Sequence, residues 1–151
     1  MRKLRFLANY SSMDIVITHG STANDIYQNC LNIRYEVLRK PLNMIIKPEE
    51  KEQDKQAVHI LAKVSGKPAG TVSLLGGRLR QMAVLDGSQG LGLGAKLVIY
   101  LEKIAKDMGL QEIGLDARFN AIGFYEKLGY ECCSEVYEKI GIPHRNMQKF
   151  L

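Results

Sequence analysis

Several residue types that mark special classes of protein are scarce in this chain of 151 residues. It has no tryptophan, and its three cysteines (Cys30, Cys132 and Cys133) have spacings that suit neither a disulfide framework nor a metal site. No run approaches the roughly 18 apolar residues of a membrane span. The basic residues form no dense cluster interleaved with aromatic residues, as in single-strand binders. These absences argue against a disulfide scaffold, a metalloprotein, a membrane protein and a nucleic-acid binder.

What is present is the composition of one globular domain. Hydrophobic residues make up 46% and charged residues 25% of the chain, which is typical of a folded protein. The first ten residues lack the apolar core of a signal peptide, and the cysteines fit a reducing compartment, so we predict a cytoplasmic location. We place the domain at residues 13–151, with residues 1–12 as an N-terminal extension; a domain that includes the extension stays open. The net charge of +5 suits several anionic partners and names none.

The spacing of apolar residues predicts the order β-α-βββ-α-β-α-ββ. Strands are predicted at 14–19, 58–64, 70–75, 78–85, 112–117, 131–140 and 143–150. Helices are predicted from Ile26 to Pro41, over a long segment that ends at Gly109, and over 121–128. Thr22 and Asp25 suggest a capping box, and residues 43–56 suggest a surface loop or a short frayed helix. This order predicts a single α+β domain with one mixed, mostly antiparallel sheet flanked by helices.

A glycine-rich turn joins the predicted strand 78–85 to the long helix. Gly90, Gly92 and Gly94 alternate with leucines in this turn. Glycine lets main-chain amides approach a ligand closely, and a helix N-terminus carries about half a positive charge. The turn therefore predicts a phosphate or diphosphate site, with a helix start that simply needs tight turns as the alternative. Its glycine spacing differs from the dinucleotide fingerprint and from the P-loop of NTPases.

A second block of residues makes the pattern more specific. Gln89-x-x-Gly92-x-Gly94, followed by Asn120 and by the run Phe124-Tyr125-Glu126-Lys127-Leu128-Gly129-Tyr130, resembles the two motif blocks of the GNAT superfamily, the acyl-CoA-dependent N-acetyltransferases. The run 33–39 and Gly141-Ile142-Pro143-His144 resemble the small bacterial-type branch of that superfamily, whose substrate is unassigned. The resemblance extends from about Met13 to the end of the chain.

The resemblance implies that acetyl-CoA binds as a co-substrate, without a metal. It implies that the main chain of Met82, Ala83 and Val84 holds the pantetheine arm, and that Asn120 contacts this arm or orients the leaving sulfur. It also implies that Tyr125 places its phenol near that sulfur. The diphosphate would lie on the amides of Gln89, Gly90, Leu91, Gly92, Leu93, Gly94 and Ala95.

An amine that attacks a thioester needs a base, and the departing thiolate needs a hydrogen-bond or proton donor. Tyr125 is the candidate donor, with a core aromatic as the alternative. The candidate bases are Glu36, His59 and His144. An ion pair with Arg39 or Lys40 is the alternative for Glu36, a hydrogen-bonded sheet position is the alternative for His59, and an ordered water chain could replace all three.

Other charged residues have weaker assignments. Arg34, Arg39, Arg78 and Arg80 are expected on the solvated surface, with contact to the 3′-phosphate of CoA or to an acidic substrate as the alternative. Asp116 is expected to pair with Arg118.

The function predicted is transfer of an acetyl group from acetyl-CoA to a primary amine of a small molecule or peptide. Direct attack in a ternary complex is expected, because the sequence has no nucleophile elbow and no favourable Cys/His pair. The alternative is a non-catalytic sensor or interaction module that binds CoA or acyl-CoA. No nucleic-acid or membrane partner is expected. A homodimer stays open, because edge strands near either terminus could pair.

Overall fold

The part of the chain that the structure describes contains nine strands and four α-helices. This computed structural model describes residues 3–7, of which 4–7 by their strand pairing alone, and residues 14–151. The strands are β1 (Lys3–Leu7), β2 (Asp14–Gly20), β3 (Val58–Val64), β4 (Lys67–Leu75), β5 (Arg78–Val84), β6 (Glu112–Arg118), β7 (Glu131–Cys132), β8 (Tyr137–Lys139) and β9 (Ile142–Phe150). The helices are α1 (Ile26–Arg34), α2 (Pro48–Asp54), α3 (Leu93–Asp107) and α4 (Ile122–Lys127).

The strands form one open sheet in the order β1-β2-β3-β4-β5-β6-β9-β7, and β8 pairs with β9. The described neighbours are antiparallel, with the exception of β5 and β6, which run parallel. The register between these two strands consists of one pair, Arg78 with Gly114. Beyond that pair the two strands diverge, and the sheet opens. The predicted fold class, a single α+β domain with a mixed and mostly antiparallel sheet, is confirmed.

Helices α1 and α3 cover opposite faces of the sheet. Ile60 packs in the core cluster that contains Leu97 and Leu101 of α3, whereas the next residue, Leu61, packs with Ile26 and Cys30 and others of α1. Successive side chains of a strand point to opposite faces, so the two helices lie on opposite sides. The apolar stripe of α3 is buried up to Ala105, and Met108, just after the helix, is exposed.

The ends of the helices follow local backbone chemistry. Gly109 and Gly129 have φ of 82° and 94°, which glycine adopts most easily, and each directly follows a helical segment as predicted. The predicted capping box of Thr22 and Asp25 is wrong: α1 has no side-chain cap. Instead, the Ser21 amide donates to Asn24 Oδ1 at 2.7 Å, which closes a tight turn just before the helix.

Three further expectations can be compared with the structure. Of the two alternatives for residues 43–56, the short helix is present as α2 over residues 48–54, and its Asp54 is buried. The first closing strand is interrupted, since β7 and β8 are separate short strands. Residues 3–7, expected in the extension, pair with β2 as an edge strand, while residues 1, 2 and 8–13 lie outside the described residues. Where the domain begins stays a prediction. No helix of the described residues has the length and hydropathy of a membrane span.

Candidate active site

A large cavity lies where β5 and β6 diverge. Its volume is about 970 Å³, and its walls come from both strands, from the start of α3, from α2, from α4 and from β8 and β9. The segment after α1 also contributes, because a π-helical turn at Tyr35–Arg39 brings Val37, Leu38 and Arg39 to the cavity wall. Such turns often occur at functional sites. The gap between β5 and β6 is thus wide enough to hold a ligand.

The edge of β5 that faces the cavity is kinked by a bulge. The register between β4 and β5 shifts between Thr71 and Ser73, and Gln81 has a φ of +59°. A left-handed non-glycine residue is uncommon outside turns, and bulges of this kind re-aim a strand next to functional sites. Past Arg78, the β6 side of β5 has no ladder partner among the described strands. Main-chain groups of β5 are therefore available at the cavity.

The turn before α3 presents free main-chain N–H groups at one end of the cavity. Gly90 and Gly92 have φ of 85° and 71°, and α3 begins without a side-chain cap. The first intrahelical bond is from the Lys96 amide to the Gly92 carbonyl, at 3.1 Å, so the amides of residues 93–95 have no helical acceptor. A Cβ on Gly94 would lie 3.1 Å from the ring of Phe124. Here the chain presents a narrow, positively polarised surface that suits an anion.

Most of the predicted cofactor residues lie on the cavity wall. Those that line it are Met82, Val84, Gln89, Gly90, Gly92, Leu93, Gly94, Ala95, Asn120 and Tyr125. Ala83 and Leu91 do not line it. The Ala83 side chain packs with α1 residues, and Leu91 packs against the main core. The side chains of Ala83 and Leu91 therefore do not contact a ligand in the cavity, and only their main-chain groups remain candidates for cofactor binding.

Tyr125 lies on α4 at the cavity and is 6% exposed. Its ring makes edge contacts with the rings of Phe124 and Tyr130, with centroids 4.9 and 5.8 Å apart. Burial raises the pKa of Tyr125 to about 12. The phenol therefore stays protonated at neutral pH, and it can donate a hydrogen bond into the cavity.

His144 is the one predicted base that the structure brings to the cavity. It is 5% exposed and lies on β9, where its ring stacks on Tyr137 at 6.1 Å between centroids. Its Nδ1 lies 2.7 Å from the carbonyl oxygen of Ile142. Because a carbonyl can only accept, Nδ1 carries a proton, and in the neutral ring Nε2 is left with the lone pair. That nitrogen can accept a proton.

The structure corrects the expectation that His59 or Glu36 faces the cavity. His59 is fully buried, its Nε2 donates to the Asp54 carbonyl at 2.8 Å, and its Nδ1 accepts from Arg34 at 2.9 Å. Both ring nitrogens are therefore occupied, as in the alternative of a hydrogen-bonded sheet histidine. Glu36 is exposed and pairs with Lys40 at 3.5 Å, and it is not among the residues of the cavity wall.

A buried polar cluster holds α2 in place beside the cavity. We call it the Arg34 cluster; it consists of Tyr27, Arg34, Asp54 and His59. Arg34 is not on the surface as expected but fully buried, and it pairs with Asp54 at 2.7 Å. The Tyr27 hydroxyl donates to the same carboxylate oxygen at 2.7 Å. Burial lowers the pKa of His59, so the ring is neutral and can accept from the guanidinium.

Charged side chains line the other end of the cavity. Arg39 pairs with Glu50 of α2 at 2.9 Å. Asp116 pairs with Lys139 and Arg78, at 3.1 and 3.3 Å, and accepts a hydrogen bond from Tyr137. The expected pair of Asp116 with Arg118 is therefore wrong. Glu50 and Lys139 were missed by sequence reasoning, because each lies in a polar segment that resembles solvated surface.

Sequence and structure comparisons relate this chain and its fold to known proteins. Residues 32–151 match the family model described as an acetyltransferase (GNAT) domain. The chain is 33% identical over 122 residues to an uncharacterized N-acetyltransferase of Bacillus subtilis, YjcF, covering 78% of this chain and 87% of that protein. The chain therefore belongs to the GNAT acetyltransferase family.

Further similarities agree with this family. A Bacillus subtilis protein provisionally named an acetyltransferase is 41% identical over 95 residues, which is 60% of this chain and 65% of that protein. An acyl-CoA N-acyltransferase of Pseudomonas aeruginosa shares the fold with a TM-score of 0.76 and 21% identity, over 89% of this chain and 99% of that one. An aminoglycoside 6'-N-acetyltransferase complexed with coenzyme A has a TM-score of 0.68 and 19% identity, over 89% and 96%.

Proposed function

We propose that this protein is an N-acetyltransferase that moves the acetyl group of acetyl-CoA to a primary amine, by direct attack in a ternary complex. One observation carries the proposal. The gap between β5 and β6 connects the free amides of the α3 N-terminus at one end with His144 at the other, and Tyr125 also lines it. The structural neighbour that is complexed with coenzyme A supports the choice of cofactor.

The residues present fit coenzyme A. Residues 93–95 and the left-handed Gly92 offer N–H groups to a diphosphate. The unpaired edge of β5 offers main-chain donors and acceptors to the amide groups of a pantetheine arm, as a partner strand would. An N–H of residues 82–84 would then also face the developing oxyanion. When bound, acetyl-CoA supplies a thioester whose C–S bond breaks as the new N–C bond forms.

His144 has the role of general base in this proposal. An alkylamine with a pKa of about 10.4 is only about 0.04% neutral at pH 7, which corresponds to about 4–5 kcal/mol. The amine must lose a proton to solvent before it attacks, and a second proton as the N–C bond forms. The unprotonated Nε2 of His144 accepts this second proton, while the bond from Nδ1 to Ile142 and the stacking on Tyr137 fix the ring.

Tyr125 stabilises the leaving sulfur in this proposal. Its pKa of about 12 lies well above that of an ordinary thiol, about 8.5. A complete proton transfer from the phenol to a free thiolate is therefore uphill, and the phenol acts first as a hydrogen-bond donor. The proton that completes the thiol then comes from solvent or from the protonated His144. The lining residues include no cysteine, which favours direct attack over an acyl-enzyme.

The test is release of CoA thiol from acetyl-CoA in the presence of amine, polyamine, amino-acid and peptide pools. His144→Gln is expected to lower kcat by about 10²–10³-fold, and Tyr125→Phe by about 10- to 100-fold, because one hydrogen bond to a charged group is lost. Both variants should bind CoA within twofold of the parent, as measured by calorimetry. Full activity of His144→Gln would show that His144 is not the base. If CoA binds but no pool accepts the acetyl group, the protein is instead a sensor that binds CoA.

A further inference from the structure

The acceptor end of the cavity contains a cation whose partner is not supplied by the protein. Arg118 ends β6 and pairs in register with His144 of β9, and both line the cavity. Residues directly opposite each other in antiparallel strands project on the same face, with Cβ atoms about 4.5–5.5 Å apart. The side chains of Arg118 and of the proposed base, His144, therefore lie next to each other at the same part of the cavity.

The charges around Arg118 are unbalanced. The cavity wall has five cations (Arg39, Lys47, Arg80, Arg118 and Lys139) and two carboxylates, those of Glu50 and Asp116. Glu50 is used by Arg39, and Asp116 is shared by Lys139 and Arg78. Within residues 14–151, the Arg118 side chain takes part in no hydrogen bond or ion pair. Neither carboxylate forms an ion pair with Arg118, although one oxygen of Glu50, Oε2, is buried without a hydrogen-bond partner.

Burial and a like charge both act on Arg118. Its pKa is lowered first by burial and then by the charge of Arg39, so the two guanidinium groups are close enough to repel. A partly buried cation that has a like-charged neighbour and lacks a counter-ion is stabilised by any anion that enters. The planar fork of arginine suits a carboxylate or a phosphate, to which it can donate two parallel hydrogen bonds.

Arg118 lies on the acceptor side of the cavity. Arg39, whose charge acts on it, belongs to the segment that follows α1, and His144 is its strand neighbour. The amides proposed to hold the cofactor diphosphate lie at the start of α3. The two neighbours of Arg118, His144 across the strands and Arg39 by its charge, belong to the part of the site proposed for the acceptor, which favours an anion of the acceptor over one of the cofactor.

We propose that the acceptor is a small amine that also carries a carboxylate or a phosphate, which Arg118 binds while the amino group lies at His144. This inference rests on the proposed function and specifies its substrate class. Because Arg118 and His144 are directly opposite each other in the sheet, a small acceptor suffices to contact both side chains. Amino acids and aminoalkyl phosphates are both small acceptors of this kind.

Matched pairs of acceptors test the inference. Leucine is compared with leucinamide, and O-phosphoethanolamine with ethanolamine, by kcat/KM for thiol release. We expect one anionic member to exceed its uncharged partner by tenfold or more; the pair that does so tells carboxylate from phosphate. Arg118→Met should remove this preference, Arg118→Lys should keep part of it, and Lys47→Met, a change of an exposed cavity cation, should alter it less than twofold.

The outcomes separate the inference from the proposed function. Transfer to the uncharged amines at equal or higher kcat/KM, or equal losses for both members of a pair in Arg118→Met, would overturn the inference alone. Absence of transfer to any amine would overturn the proposed function. In that case, calorimetric titration of the CoA complex with leucine and with O-phosphoethanolamine decides: the inference needs binding that Arg118→Met weakens by tenfold or more, and absence of binding refutes it.

Discussion

At the α3 end the cavity is lined by residues of one segment, 89–95 without Leu91, whereas at the α1–α2 end it is lined by side chains from separate elements. Arg39, Glu50, Arg118 and His144 come from positions between residue 39 and residue 144. The first end is determined mainly by where the backbone runs. The second depends on how four elements pack together.

This difference matches the ligands that we propose for each end. A diphosphate is the same in every acyl-CoA, and N–H groups with left-handed glycines can bind it whatever the surrounding side chains are. An acceptor differs from one enzyme to the next and needs particular charges at particular places. The acceptor end also depends on α2, which has seven residues and is too short to be stable alone. The Arg34 cluster provides its anchor.

The largest effect is expected from breaking that anchor. Asp54→Ala leaves the guanidinium of Arg34 buried without its carboxylate, and Arg34 and Asp54 side chains are 0% and 1% exposed. Removing one partner of a buried pair costs about 3–5 kcal/mol. We expect a fall of that size in the free energy of unfolding, measured by urea denaturation. We also expect a higher KM for the acceptor in the protein that remains folded.

A neighbouring ion pair supplies the control for Asp54. Glu52 of the same helix pairs with Lys55 at 2.9 Å, but both side chains are more than 60% exposed. Glu52→Ala should therefore change the free energy of unfolding by at most about 1 kcal/mol. Similar losses in the two variants would show that the anchoring is general to α2 and does not come from the Arg34 cluster.

A second substitution disturbs the α3 end of the cavity, where we propose that main-chain groups bind the ligand, and leaves the acceptor end intact. Gly92 has a φ of +71°, and a Cβ there would meet the Lys96 Nζ at 3.2 Å. In Gly92→Ala the left-handed conformation costs about 1–2 kcal/mol. Without ligand the loop avoids this cost by adopting another conformation, which displaces its amides. CoA affinity should then fall by about 5- to 30-fold in calorimetry. Gly87→Ala, in open space without a positive φ, should leave it unchanged; equal affinities would contradict the cradle.

The sequence reveals the α3 end of the cavity because its signals are local. The glycines, the strand before them and the helix after them lie within one stretch of about 30 residues, and each has its own pattern. Gln81 escaped notice because the left-handed position of the bulge is taken by a residue other than glycine or asparagine. Alternation along β5 predicts a strand but says nothing of a shifted register.

The side-chain end was less accessible to sequence reasoning, because register decides it. His59 and His144 both lie in alternating strands, yet one contacts the interior of the α1 side and the other lines the cavity. Arg118 becomes a candidate only once its partner across β9 is known. In α2 one carboxylate, that of Asp54, is buried, but the other six residues are of types typical of a surface helix, so the sequence does not single Asp54 out.

The smallest expected effect sharpens the comparison through pH. Burial lowers the pKa of His59 in the folded protein, whereas in the unfolded chain this group takes up a proton near its ordinary pKa of about 6.5. Below that pH the unfolded state binds more protons, so the stability that His59 contributes is present above pH 6.5 and is lost as the pH falls. In His59→Gln the amide can still donate to the Asp54 carbonyl, but it does not titrate. The difference in Tm between parent and variant should therefore narrow from pH 8 to pH 5, while CoA affinity at the opposite end of the cavity stays the same in both. A Tm difference that is constant over this range would mean that the pKa of His59 is the same in the folded and unfolded states, which would contradict a buried neutral ring whose Nδ1 accepts from Arg34.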